Sequence, residues 1–191
     1  MAVEKKVIYF EKPGSENTSI CLDVVKKAIK EGRYNHLVVA STTGDTALLF
    51  SEELKGTDIN LVVVTHSSGF KEPNTHEMPV EIKKRIEKNG ARVFTGPMLT
   101  HSLETSLVSK FGGTYPTLII AQSLRRLGEG TKVCCEIVMM AADAGLIPEG
   151  EEVLALAGTA RGADTVMVIK SAASKRFLDL RILEILAKPR A

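Results

Sequence analysis

Thr42, Thr43, Gly44, Asp45 and Thr46 stand where an apolar run gives way to a helical pattern, within LVVASTTGDTALLF, Leu37 to Phe50. Strand, tight loop and helix in that order bring these residues to the first turn of a helix. There several backbone N–H groups have no intrahelical partner and the macrodipole is positive. Hydroxyls add donors, and Gly44 lets a ligand approach the backbone. Such a turn is a generic holder of phosphate or another anion. The same residues also read as an ordinary helix start, with Thr43 or Asp45 as the N-cap.

Four other apolar runs end in small polar loops. Val7 to Phe10 leads through Gly14 to Ser15, Asn17 and Thr18. Leu61 to Val64 runs into Thr65, His66, Ser67, Ser68, Gly69 and Phe70. Ala91 to Phe94 is followed by Thr95, Gly96, Pro97 and Met98, and Val153 to Ala157 by Gly158, Thr159, Ala160, Arg161 and Gly162. Helical patterns lie between the first four runs, at roughly Thr18 to Glu31, Thr46 to Lys55 and Glu77 to Asn89. Alternation of this kind implies βαβ units and an α/β fold with a mostly parallel sheet. Runs of Val, Leu and Ile without polar alternation suit strands covered by helices on both faces, a three-layer sandwich. Parallel strands deliver their following loops to one edge, where ligands bind. Five Ser/Thr/Gly-rich loops are therefore expected to converge on one crevice.

The 191 residues suffice for one well-covered α/β domain, and no linker composition divides them, so a single domain over 1–191 is expected. Hydrophobic residues make up 44%, enough to fill a core. The net charge of +2 comes from 25 basic and 23 acidic residues with neither sign segregated. Only 5% are aromatic, against the basic stripe and interleaved aromatics of a nucleic-acid groove, so no nucleic-acid partner is expected. No apolar segment approaches the roughly 18 to 20 residues that cross a bilayer. MAVEKKVIYF goes straight into a strand, so no membrane association and a cytoplasmic location are expected.

Cys21 falls in an amphipathic helix and Cys134 and Cys135 are adjacent in another, spacings that match no zinc site. Buried, reduced thiols are the expectation. His36 precedes a strand and His76 begins a helix, which suggests surface roles. His66 and His101 lie in or near the site loops, but no carboxylate stands at ligand-like spacing, so no metal site is expected. No nucleophile–base pair or paired carboxylates stand out either.

In the middle third, Thr100 to Lys110 and Tyr115 to Leu127 look helical, separated by Gly112 and Gly113. A helix from about Thr131 to Ala144 presents Val133, Ile137, Met140 and Ala144 on one face. Glu136 and Asp143 fall off that face and are expected in solvent. Thr165 to Ile169 should be a sixth strand, and the short connection before it makes it antiparallel to the fifth. Arg176 to Ala187 fits helix and strand equally.

Two segments resemble the carboxyl-terminal domain of pyruvate kinase, as found in small stand-alone prokaryotic proteins. LVVASTTGDTALLF with INLVVVT matches its strand, Ser/Thr-Gly loop, helix and second strand ending in Thr. AADAGLIPEGEEVLALAGTARGADTVMVI matches its helix ending near Gly, Gly-Glu turn, strand, glycine-rich loop and last strand. The opening Gly14, Asn17 and Thr18 and the ending Ala187 to Arg190 resemble the stand-alone proteins. The region of about 75–130 has no clear counterpart in the pyruvate kinase domain and reads as a helical insertion.

That resemblance implies a phosphate site on the same two loops, at Ser41, Thr42, Thr43, Gly44 and Thr46, and at Gly158, Thr159, Arg161 and Gly162. It also implies no pyruvate kinase activity, because the metal-binding acids and phosphoryl-transfer lysine belong to a separate barrel. Its likeness to the stand-alone proteins implies a crevice able to hold flavin mononucleotide (FMN) as cofactor. Asn17, Thr18, Thr65, Ser67 and Gly96 would then add polar contacts, while Phe70, Met98, Tyr115 and Pro116 could wall a flat ring. Two readings stand: a flavin-binding protein, with oxidoreductase chemistry as one use, and a metabolite-sensing module that binds a sugar phosphate and acts through a protein partner. A homo-oligomer fits either, a dimer being the commonest default.

Overall fold

The computed structural model describes Ala2 and residues 4–190. Seven strands form one sheet: β1 (Ile8–Phe10), β2 (His36–Ala40), β3 (Asn60–Thr65), β4 (Arg92–Thr95), β5 (Glu152–Ala157), β6 (Thr165–Lys170) and β7 (Arg181–Pro189). Their order is β1-β7-β6-β5-β2-β3-β4. Neighbours β5/β2, β2/β3, β3/β4 and β1/β7 are parallel, and β6 alone runs the other way, between β5 and β7. This is the mostly parallel sheet expected, with the antiparallel strand near the C-terminus.

Among the described residues six helices cover the faces: α1 (Thr18–Lys30), α2 (Asp45–Glu53), α3 (Val80–Lys88), α4 (Leu103–Phe111), α5 (Pro116–Arg125) and α6 (Glu129–Asp143). Each central strand is buried on both sides. Leu37 and Val39 of β2 pack with α1, α2 and α3 through Cys21, Val25, Phe50 and Ile86. Val38, between them, points the other way, onto Cys134, Val138 and Ala141 of α6. Alternate strand residues thus feed two hydrophobic layers, which is why β2, β3 and β5 carry unbroken aliphatic runs. On α1 the buried positions 21, 22, 25 and 28 follow helical spacing, and Lys26, Lys27 and Lys30 take the outer side. The helix α6 is buried from Gly130 to Ala141 except at half-buried Val133, and α5 packs against it.

Three expectations need correction. Glu77 to Asn89 is not helical throughout: α3 begins at Val80 behind Pro79, and His76 lies in the preceding loop. Pro79 presets φ at −60°, and helices commonly start just after such a residue. Glu136 is not in solvent but 3% exposed, for reasons given below. The tail resolves its ambiguity by splitting, with a 3-10 segment at Ser174–Asp179 and then β7, whose Ala187 pairs with both Ile8 and Val166. The segment 75–130 also supplies β4, as the Ala91 to Phe94 run suggested, and so is not helical alone.

Candidate functional site

A cavity of about 400 Å³ opens at the carboxyl ends of β2, β3 and β5. One wall is the β2–α2 loop, with Ser41, Thr42, Thr43, Asp45 and Thr46; facing it is the β5–β6 loop, with Gly158, Ala160, Arg161 and Gly162. A third wall is the β3–α3 loop, through Thr65, His66, Phe70, Lys71 and Glu77. The roof comes from the segment between β4 and β5: Met98, His101, Arg125 and the inner face of α6.

In the β2–α2 loop neither Thr43 nor Asp45 is the N-cap of the helix. The N-cap of α2 is Gly44, and no side chain caps the helix from that position. Thr43 and Asp45 bond each other instead, Thr43 Oγ1 donating to Asp45 Oδ2 at 2.7 Å. The Ala47 N–H is taken by Ser41 Oγ at 3.2 Å. Among the described residues no acceptor meets the N–H groups of Thr42, Thr43, Gly44, Asp45 or Thr46. Five backbone donors are thus left unpaired, and four of their residues, Thr42, Thr43, Asp45 and Thr46, line the cavity, where an anion is favoured. The loop is also fixed in place: Ser41 N–H donates to Val64 O, and Thr65 Oγ1 donates to Thr42 O, both at 3.0 Å.

The glycines act differently from expectation. Gly44 has φ +98°, and a Cβ there would lie 2.4 Å from Ile82 Cγ2 of α3. Its missing side chain therefore lets the loop sit against α3, and the residue does not line the cavity. Gly162 has φ +72° and would strike Ser15 in the β1–α1 loop at 2.4 Å. Ala160, between Gly158 and Gly162, holds φ +62° without being glycine. That left-handed conformation costs roughly 1–2 kcal/mol, and it sits beside Arg161 on the cavity rim.

Asn17 and Thr18 do not line the cavity. The Asn17 side chain donates to Lys12 O and Gly14 O, and Thr18 Oγ1 accepts from the Ala163 N–H at 3.0 Å. They lock the β1–α1 loop to the β5–β6 loop. Buried Asp164 completes the joint, its Oδ2 accepting from Gly14 N–H at 3.1 Å and Thr159 N–H at 3.0 Å. The Thr159 backbone donor is thereby spent, and neither Thr159, Ser67 nor Gly96 faces the cavity. Tyr115 and Pro116 lie outside it as well; Phe70 and Met98 are inside. Ser41, Thr42, Thr43, Thr46, Thr65, Gly158, Arg161 and Gly162 are brought together as expected.

The roof carries charge that the sequence pattern concealed. Lys132 and Glu136 form an ion pair one turn apart on α6, each side chain 3% exposed. Glu136 Oε1 also accepts from Thr100 N–H and Thr100 Oγ1, both at 2.8 Å. Burial pushes the Glu136 carboxyl up, but Lys132 and the Thr100 hydrogen bonds outweigh it and hold it below the usual carboxylate range. His101 lies 3.3 Å from Lys132 Nζ and 3.4 Å from Arg125 Nη2. Burial first, and the Lys132 charge second, lower its pKa and keep the imidazole neutral. Arg125 pairs with Glu129 at 2.7 Å. Between these charges Val133, Ile137 and Met140 make an apolar strip opposite Ala40 and Val64. Arg161, by contrast, has no carboxylate partner among the described residues.

The model of the pyruvate kinase alpha/beta domain matches residues 18–169, which is most of the chain. The chain belongs to that family. Among solved structures it is similar to a Cryptosporidium parvum pyruvate kinase in complex with ADP, at 16% identity and a TM-score of 0.40 over 85% of this chain. The match covers 25% of that pyruvate kinase, so the chain spans about a quarter of its length. An O-ureido-L-serine synthase is similar at 19% identity and a TM-score of 0.32, over 71% of this chain and 42% of the synthase. Of the roof residues, the sequence placed His101 in or near the site loops, while Arg125, Lys132 and Glu136 escaped it. An i,i+4 Lys–Glu pair ordinarily marks an exposed helix face, whereas this one is buried, with Thr100 bonded to its carboxylate. No group of three or more His, Cys, Asp or Glu placed for a metal ion occurs among the described residues.

Proposed function

We propose that the protein binds a phosphorylated small molecule in this cavity, with the phosphate at the N–H groups of Thr42 to Thr46 and Arg161 closing from the opposite loop. The observation that carries the reading is the set of five unpaired backbone donors at the start of α2. FMN is the occupant the lining favours. Its phosphate suits the donor turn, and its flat ring suits the strip of Val64, Val133, Ile137 and Met140 with Phe70 and Met98 beside it. Ligand sites of this type are mostly apolar with a few placed polar groups, in cavities of roughly 300–1,000 Å³. When bound, the flavin would supply redox chemistry, and the protein would orient it and set the charge around it. A metabolite sensor is the second reading, supported by the unpartnered Arg161 beside the hydroxyl-rich loop, which suits a sugar phosphate equally. Titration of the purified chain with FMN, followed by flavin fluorescence, tests the choice. Binding at micromolar levels is expected. Failure to bind while a sugar bisphosphate binds would replace the flavin with the sensor reading.

A further inference from the structure

The β3–α3 loop brings a histidine and a carboxylate to the same turn from which the phosphate donors project. His66 Nδ1 lies 2.7 Å from Glu77 Oε2, and Lys71 Nζ lies 2.7 Å from the other Glu77 oxygen. Glu77 is largely buried, and although burial raises its pKa, hydrogen bonds from Lys71 and His66 hold it below the usual range. It is therefore an ionised acceptor at neutral pH, and Nδ1 must carry the proton that it receives. In the neutral imidazole the lone pair is then left on Nε2, which faces Thr42 Oγ1 at 3.5 Å. Phe70 packs on the imidazole, ring centroids 4.2 Å apart, and limits its rotation. All five side chains line the cavity.

We propose that Thr42, His66 and Glu77 form a nucleophile, base and positioning carboxylate for hydrolysis of small activated carboxylic esters in the cavity. A hydroxyl facing a base that is itself oriented by a third group is the recurring signature of covalent catalysis, and the contact is commonly loose before substrate binds. Thr42 stands at the strand-to-helix turn, so its Oγ1 belongs to the same short loop as the unpaired N–H groups, donors of the kind that stabilise an oxyanion. The Thr42 Oγ1 proton passes to His66 Nε2 as Oγ1 bonds to the carbonyl carbon, and the C=O electron pair moves onto oxygen. Collapse expels the alcohol, which takes the proton from Nε2. Water then gives a proton to Nε2 and attacks the acyl carbon; the acid leaves and Oγ1 regains the proton. This activity goes beyond phosphate binding but uses the same donors, so inorganic phosphate should compete with it.

The test uses the full chain with p-nitrophenyl acetate, reading p-nitrophenol release and mapping the acetyl group on the quenched protein by mass spectrometry. Acetyl on Thr42 is expected, with release slowed about a hundredfold or more in Thr42→Val and His66→Gln. Glu77→Gln, which keeps the shape, should slow it too. Acetyl found on lysine or cysteine instead, or release unchanged in Thr42→Val, overturns the proposal independently of how any variant folds. Phosphate binding to His66→Gln, followed by phosphorus NMR, separates the two claims. Phosphate bound without a Thr42 adduct sinks the esterase and leaves the phosphate site. A Thr42 adduct that phosphate does not suppress supports the esterase and sinks the phosphate site.

Discussion

Arg161 and Gly44 show how far single residues carry the account. Arg161 is the cavity-rim cation with no carboxylate partner among the described residues, and a hydrogen bond to a charged group is worth roughly 1.5–3 kcal/mol. Arg161→Ala should therefore weaken ligand binding about tenfold or more, with the melting temperature unchanged; isothermal titration and a thermal melt check both halves. Gly44→Ala should do the reverse kind of damage. Its φ of +98° and the 2.4 Å approach of Ile82 Cγ2 combine strain and overpacking, each worth about 1–3 kcal/mol. A loss of about 2 kcal/mol or more is expected in denaturant unfolding, and Gly44→Ala with Ile82→Ala should recover the packing part. The sequence made Gly44 look like a gap for a ligand. Nothing local distinguishes a gap facing a ligand from one facing α3, because that depends on where a helix more than thirty residues later is laid down.

At the scale of elements, strands and their order of direction were legible because continuous aliphatic runs and short connections leave few alternatives. The short step from Ala157 to Thr165 forces β6 to run back along β5, and it does. The roof was not legible. Lys132 and Glu136 have the spacing of a solvated pair, yet both are buried and Thr100, in a loop far from them in the chain, bonds the carboxylate. Breaking the pair should be costly, since a lone buried charge destabilises by about 3–5 kcal/mol while a matched apolar replacement is often neutral or better. Lys132→Met alone should thus unfold at much lower denaturant than Lys132→Met with Glu136→Leu. The pair also sets an acid limit. Because the folded Glu136 pKa lies below its ordinary value of 4.5, its stabilisation is present above that value. It is lost as pH falls through the folded pKa. The double variant should lose this part of the acid dependence, which unfolding curves between neutral and strongly acidic pH would reveal.

Across the whole molecule, burial governs the cysteines. Desolvation pushes Cys21 and Cys135 up to about 12 and raises Cys134 as well. All three are free thiols. The native protein should resist alkylation at pH 8 and react at all three positions in denaturant, counted by intact mass. No conversion of phosphoenolpyruvate and ADP is expected of these 191 residues, because the family model they match is that of the alpha/beta domain. A coupled assay for pyruvate checks it. The central claim is that the donors of Thr42 to Thr46 hold a phosphate. The most direct measurement compares FMN with riboflavin, which is the same ring system and ribityl chain without the phosphate, by fluorescence titration. Micromolar binding of FMN and at least tenfold weaker binding of riboflavin is the predicted result. Equal affinity for the two would contradict it.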